Sequence, residues 1–303
     1  MKRKRLGIYI MWLAVLPMVC SLLAGCAYRL TDEDWEKNGK VRVLLNWQIR
    51  SGDMPSRMNY YFYPEGASVP IVRSGEPAGY EGTLPVGRYR LAVCNPDGNN
   101  IELDMYKGYA LARAVARSVS SLKASVANVS QPRHLYGGGL DEFVVGSSND
   151  NISEIFPKNL VKQIFLNIRI NGLQDIERIR GALTGVSPEV HIPSAMALFE
   201  RTASVSFEPE QTTANLYTTS FSVFGLGNGE EEKEETSELS LTVTMKNGEG
   251  FTSRTDVSGE VNDAFNQSIS ADIILDLEVS PTGVDGITIK YLGWHEGSGS
   301  VGN

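Results

Sequence analysis

His134, His191 and His295 are the only histidines among 303 residues, and no two of them share the short spacing a metal site needs. They read as surface or hydrogen-bonded loop residues. The nucleophile turn Gly-x-Ser-x-Gly, the zinc helix His-Glu-x-x-His and the phosphate-cradling Gly-Lys-Ser/Thr do not occur. Gly137-Gly138-Gly139 is followed by neither Lys nor Ser/Thr, so it predicts a flexible bend. Asn95-Pro96-Asp97-Gly98-Asn99-Asn100 offers oxygen ligands, but a calcium loop needs an oxygen at its fifth position, and Ile101 stands there. A tight turn is the expectation. Phe224–Gly229 runs into Glu230–Glu235, with a single Lys233, and predicts a solvated hairpin loop. Carboxylate pairs for glycoside cleavage can come from distant strands, and nothing selects one here. The residues therefore predict no catalytic group, no metal, no cofactor and no enzyme. One aromatic run remains, Tyr60-Tyr61-Phe62-Tyr63. On a strand, Tyr61 and Tyr63 face away from Tyr60 and Phe62. They are the candidate residues for stacking on a sugar, with sheet packing as the alternative.

The sharpest chemistry lies near the start. Lys2, Arg3, Lys4 and Arg5 precede an uncharged run from Leu6 to Ala24, the layout of a secretory signal. The run is long enough to span a membrane, but Pro17 interrupts it, and Leu22-Leu23-Ala24-Gly25-Cys26 resembles a bacterial lipobox. Cleavage between Gly25 and Cys26 would leave Cys26 as the lipidated first residue. Two or three acyl chains, at about 0.8 kcal/mol per buried methylene, hold a protein to a membrane where one does not. Ala27 follows in place of the Asp that retains many lipoproteins at the inner membrane, so the expected location is the outer membrane, at the cell surface. Of the three cysteines, Cys20 leaves with the signal and Cys26 carries lipid. Cys94 is then left without an internal partner, and a buried thiol beside a strand is expected.

Loss of the four N-terminal cations moves the net charge from −8 to −12. That balance gives no footprint for nucleic acid, and it opposes broad contact with anionic lipid, leaving the acyl chains as the membrane attachment.

The elements that must carry these residues are strands. Val41, Val43, Leu45, Trp47 and Ile49 alternate with more polar residues. So do Met58, Tyr60 and Phe62; Tyr89, Leu91 and Val93; Ile164, Leu166, Ile168 and Ile170; Leu239, Leu241, Val243 and Met245; Ile273, Leu275, Leu277 and Val279. Period two predicts antiparallel sheets with one face on a core and one in water. The length predicts two domains: a signal peptide 1–25, a tether 26–39, an N-terminal β-sandwich 40–157 and a C-terminal β-sandwich 158–303 with a Gly/Ser-rich tail. Leu111, Val115, Val119, Leu122 and Val126 have helical spacing and predict a helix within 107–127, although the Ser/Ala/Arg-rich composition also fits an irregular crossing. The alternating stretch Gly286–Trp294 is either the last strand of its own domain or a donor strand for a neighbour.

Longer patterns carry a resemblance. "VRVLLNWQ" is followed by "MNYYFYPEG". "GTLPVGRYRLAVCN" comes next, where Pro85 and Gly87 make a turn and Tyr89, Leu91 and Val93 bury one face. "HLYGGGLDEFVV" and "FLNIRINGLQDIERIRGALTGV" complete the set. With the lipobox, this arrangement resembles a family of uncharacterised lipoproteins of anaerobic gut and oral bacteria related to the fimbrillin superfamily, including fimbrial anchor lipoproteins. The resemblance implies two tandem transthyretin-like β-sandwiches and a role as fimbrial anchor or accessory subunit that pairs strands with pilin-like chains. It supplies no catalytic residues. Fimbrillins that polymerise are cut after Arg or Lys, and nothing in the sequence matches Arg113 or Arg117 to such a site. The alternative function is a glycan-binding surface lipoprotein.

Overall fold

The computed structural model describes residues 37–48, 54–119, 127–147, 151–227, 236–267, 272–283 and 286–297. Gly25, Cys26, residues 120–126, the Glu230–Glu235 run and the tail from Ser298 lie outside them. The described fold is all-β apart from one α-helix, Ser258–Gln267, and its alternating runs become strands. Val41 and Val43 in strand Asn38–Leu45, Ile164, Leu166 and Ile168 in strand Lys162–Ile170, and Ile273, Leu275 and Leu277 in strand Asp272–Pro281 are each at most 2% exposed. Alternation puts these side chains on one side of the pleat, where two sheets close over them.

The first pair of sheets sets strand Asn38–Leu45, between Asn151–Ile155 and Gly79–Pro85, against a five-stranded sheet. That sheet runs in the order Lys158–Asn159, Tyr136–Val145, Gly87–Cys94, Met58–Pro64 and Ile71–Gly75. Met58, Tyr60, Phe62, Leu91 and Val93 fill the space between, all at 0% exposure. The second pair centres on Lys162–Ile170 in one sheet and Ile176–Val186 in the other. Phe207 and Phe221 stack inside it, centroids 4.6 Å apart. Most pairings are antiparallel. Two long ones are parallel, contrary to the expectation from alternation alone: Asn38–Leu45 with Asn151–Ile155, and Lys162–Ile170 with Asp272–Pro281. In both, a strand is joined by one about 110 residues later in the chain, a crossover that local patterning cannot specify.

The expected helix in 107–127 is absent over its described part. Tyr109–Leu111 is one 3₁₀ turn, and Arg113–Ala116 and Ser118–Val119 are strands. The buried residues are Ala112, Ala114 and Ala116, with the period of a strand, while Leu111 and Val119 are 48% and 47% exposed. The small side chains win because this strand lies flat on the outer face of the five-stranded sheet. Strand Arg113–Ala116 pairs with Ile101–Asp104 on one side and with Glu189–His191 on the other, and Met196–Leu198 completes this four-stranded sheet. Residues from both sides of Pro157 thus share one sheet. Asn128–Val129 likewise joins Ala203–Phe207.

Gly137-Gly138-Gly139 is part of strand Tyr136–Val145 and not a bend. A Cβ on Gly139 would stand 2.8 Å from Pro193 Cβ, and one on Gly137 would stand 3.0 Å from Ile192. The glycines admit the covering segment, as glycine in a strand does where another backbone comes close. At the seam of this layer the Glu189 carboxylate, in a side chain 9% exposed, accepts from Arg113 Nη1 (2.7 Å) and Arg201 Nε (2.9 Å). Beneath it, Tyr61, Tyr63, Ala92 and Cys94 form the outer face of the five-stranded sheet, each at most 5% exposed.

Glu189→Ala removes the carboxylate shared by Arg113 and Arg201, leaving Arg113 only the more distant Asp104 at 3.9 Å, and should lower the unfolding free energy by about 3 kcal/mol, read from urea melts. Arg42→Ala, which breaks only the exposed Arg42–Glu81 pair, should change it by less than about 1 kcal/mol. Burial pushes the Cys94 thiol from 9.0 up to about 12. It also pushes the Tyr61 phenol from 10.0 up to about 12, with Cys94 beside it adding to the rise. The unfolded chain loses these protons first, so stability is intact below about pH 9 and falls as the pH rises toward 12. Urea midpoints should decline over that window, and Cys94 should resist alkylation until the chain unfolds.

Candidate functional site

The outer face of strand Gly87–Cys94 changes character along its length. Ala92 and Cys94 are covered, whereas Arg88 and Arg90, on the same face, are exposed. The change occurs where the four-stranded layer ends. Strand Tyr136–Val145 is irregular at the same level: its register against Gly87–Cys94 shifts between Leu140 and Phe143. This bulge breaks the alternation, so neighbours Asp141 and Glu142 are both exposed. Turn Pro64–Ser68 and segment Lys107–Leu111 rise beside them, enclosing an open cleft of about 570 Å³.

Tyr109 stands at the back of the cleft. Its ring meets Tyr63 edge-on at 5.8 Å and His191 edge-on at 6.3 Å, and Arg90 Cζ lies 5.6 Å from its centroid. Burial, and then the Asp141 carboxylate beside the hydroxyl, hold the Tyr109 phenol above the usual tyrosine range. His191 Nε2 lies 3.2 Å from the Tyr109 carbonyl oxygen and Nδ1 2.8 Å from Ser194 Oγ, which fixes the ring. Arg88 Nη2 donates to Glu142 Oε1 at 2.6 Å, in a pair whose side chains are more than half exposed.

Of the sequence-level candidates, Tyr63 lines the cleft and Tyr61 does not. Tyr61 and Tyr63 face away from Tyr60 and Phe62, as alternation requires. They are only 5% and 2% exposed, however, and Tyr63 donates its hydroxyl proton to Met105 O at 2.8 Å. At that burial neither ring is open for a sugar to stack on, and Tyr63 meets the cleft only from behind. The physical reason is the second layer, built from segments 101–116 and 189–198. Gly25 and Cys26 lie outside the described residues. Among the described residues, no group of three or more His, Cys, Asp or Glu could hold a metal ion, and no helix is long and apolar enough to cross a membrane. Sequence reasoning missed the cleft. Its signal was present in the alternating Arg88 and Arg90 and in Asp141-Glu142, two adjacent acids inside a strand pattern.

Sheet edges form the second surface of interest. Strand Ile287–Glu296 is the last of its sheet and pairs with Asp272–Pro281. Ile287 and Ile289 are buried in the same core cluster as Val279, so this segment is a strand of its own sheet. Strand Asn151–Ile155 is another edge, with Ile152 57% exposed beside Leu44 at 36%. The Asn151 side chain pins its start, donating to Lys40 O (2.8 Å) and Gly146 O (3.1 Å).

Comparison with solved structures finds the same all-β fold in proteins of Bacteroides and Porphyromonas. A "putative adhesin" from Bacteroides ovatus ATCC 8483 is 18% identical, with 88% of this chain and 97% of that one covered at a TM-score of 0.64. The fimbrial anchor protein Mfa2 from Porphyromonas gingivalis is 15% identical, over 84% of this chain and 97% of that one, at 0.56. One of the "putative polysaccharide binding proteins (DUF1812)" from Bacteroides thetaiotaomicron VPI-5482 is 12% identical, over 85% and 98%, at 0.58. Comparison with curated proteins gave no match. The family model described as "Domain of unknown function (DUF5119)" matches residues 25–208, more than half of the 303 residues, and the chain belongs to that family.

Proposed function

We propose that this chain is a surface lipoprotein of the outer membrane that serves as a fimbrial anchor or accessory subunit and engages pilin-like chains by β-strand pairing. The observation that carries this reading is the fold held in common with a fimbrial anchor protein over nearly all of that protein's length. Lipid on Cys26 would fix one end to the membrane. The modules 40–157 and 158–303 would then present strand edges outward. An edge such as Asn151–Ile155 offers main-chain donors and acceptors in a row, and alternate side chains beside it supply selectivity. The exposed Ile152 is the kind of apolar contact such pairing uses.

Three outcomes are expected. Isolation of the tagged full chain from its native envelope in gentle detergent should bring pilin-like subunits with it; recovery of a glycan-import complex instead would overturn the proposal. Mass spectrometry should find a diacylglycerol-modified Cys26 at the mature N-terminus, and Cys26→Ala should release the protein from the membrane. Deletion of 286–303 should abolish folding, because it strips Ile287 and Ile289 from the core. A folded, soluble deletion product that fails only to assemble would reassign that strand as a donor.

A further inference from the structure

We propose that the cleft between turn Pro64–Ser68 and segment Lys107–Leu111 is a binding site for a neutral oligosaccharide. This activity is independent of strand pairing. Three acidic side chains (Glu65, Asp141, Glu142) and three basic ones (Arg88, Arg90, Lys107) line it. Their charges cancel, so the cleft selects neither anion nor cation. It presents fixed acceptors and fixed donors side by side, which suits a ligand whose hydroxyls both donate and accept.

Its construction points the same way. The floor is a sheet face, and the strands Met58–Pro64, Gly87–Cys94 and Tyr136–Val145 hydrogen-bond to one another across it. The main chain of the floor therefore has little left for a peptide to pair with, and recognition falls to side chains. Those side chains are pre-positioned. Glu142 is held by Arg88 at 2.6 Å, Arg90 by the face of Tyr109, and Lys107 by Asp104 at 2.7 Å. Ala110, Leu111 and Pro64 give apolar surface for the C–H faces of a sugar ring, and Leu111 is 48% exposed. The volume of about 570 Å³ lies within the roughly 300–1,000 Å³ of small-molecule sites and takes a short oligosaccharide. The bulge at Leu140–Phe143 has a reason in this account. Regular alternation would send one of Asp141 and Glu142 inward, whereas the bulge turns both to the cleft.

The test is an array of neutral, sialylated and sulfated oligosaccharides probed with the full chain, followed by calorimetric titration of the best ligand. Binding to neutral glycans is expected. Asp141→Asn combined with Glu142→Gln, and separately Arg90→Gln, should weaken it at least tenfold while leaving the circular dichroism spectrum and Tm unchanged. These positions are exposed, so the fold should survive the changes. Leu111→Trp, which fills the mouth of the cleft, should also block it. The proposal is overturned if no neutral glycan binds, if only charged glycans or peptides bind, or if these variants bind as well as the parent chain.

Discussion

The contact on which most of this architecture depends is the carboxylate of Glu189 held between Arg113 and Arg201. It closes a sheet whose strands come from two distant parts of the chain. A carboxylate this buried is tolerable only with cationic hydrogen-bond donors in place. The requirement fixes where Glu189–His191 must lie against Arg113–Ala116. Once that register is set, Ile192 and Pro193 fall over Gly137 and Gly139, and the alanines at 112, 114 and 116 sink into the same cluster as Ala92 and Cys94. The five-stranded sheet thereby gains a second buried face.

A sheet buried on both faces has few options for its edges and ends. Here the covering layer stops short of the turn at Pro64–Ser68. Beyond that point the outward side chains become charged, with Arg88 and Arg90 on one strand and Asp141 and Glu142 on the next. A layer that covers part of a face leaves a step, and the step is the cleft. Tyr109 marks the boundary, with its ring packed against Tyr63 and His191 behind and Arg90 in front.

The strand pairing and the sugar binding proposed above would draw on different parts of this molecule. Pairing uses main-chain groups that a sheet leaves open at its margin, and the fold places such margins at Asn151–Ile155 and Ile287–Glu296. The cleft uses side chains on strands whose main chain is already occupied. The two surfaces need not compete, since neither Asn151–Ile155 nor Ile287–Glu296 contributes a residue to the cleft.

The sequence by itself determined the strands. Apolar residues two apart at 41–45, 58–62, 89–93, 164–170, 239–243 and 273–279 reach the core because a pleat puts every second side chain on one side, which needs no knowledge of neighbours. It also identified Gly286–Trp294 as strand-forming and Cys94 as buried. Only the tertiary structure decided what lies on the other side of each strand. Tyr61 and Tyr63 alternate correctly, but whether the second face meets water or protein depends on segments 101–116 and 189–198. Those segments have no local pattern that names their partner. The same blindness produced the helix expected from Leu111, Val115 and Val119: spacing alone ranks large apolar residues first, whereas a flat approach to a sheet lined with glycine and alanine buries the small ones. The parallel closures at Asn151–Ile155 and Asp272–Pro281, and the meeting of Arg90, Asp141 and Tyr109 in one cleft, are long-range for the same reason. Contacts between residues far apart in the chain are set by packing of whole layers, and periodicity carries no record of them.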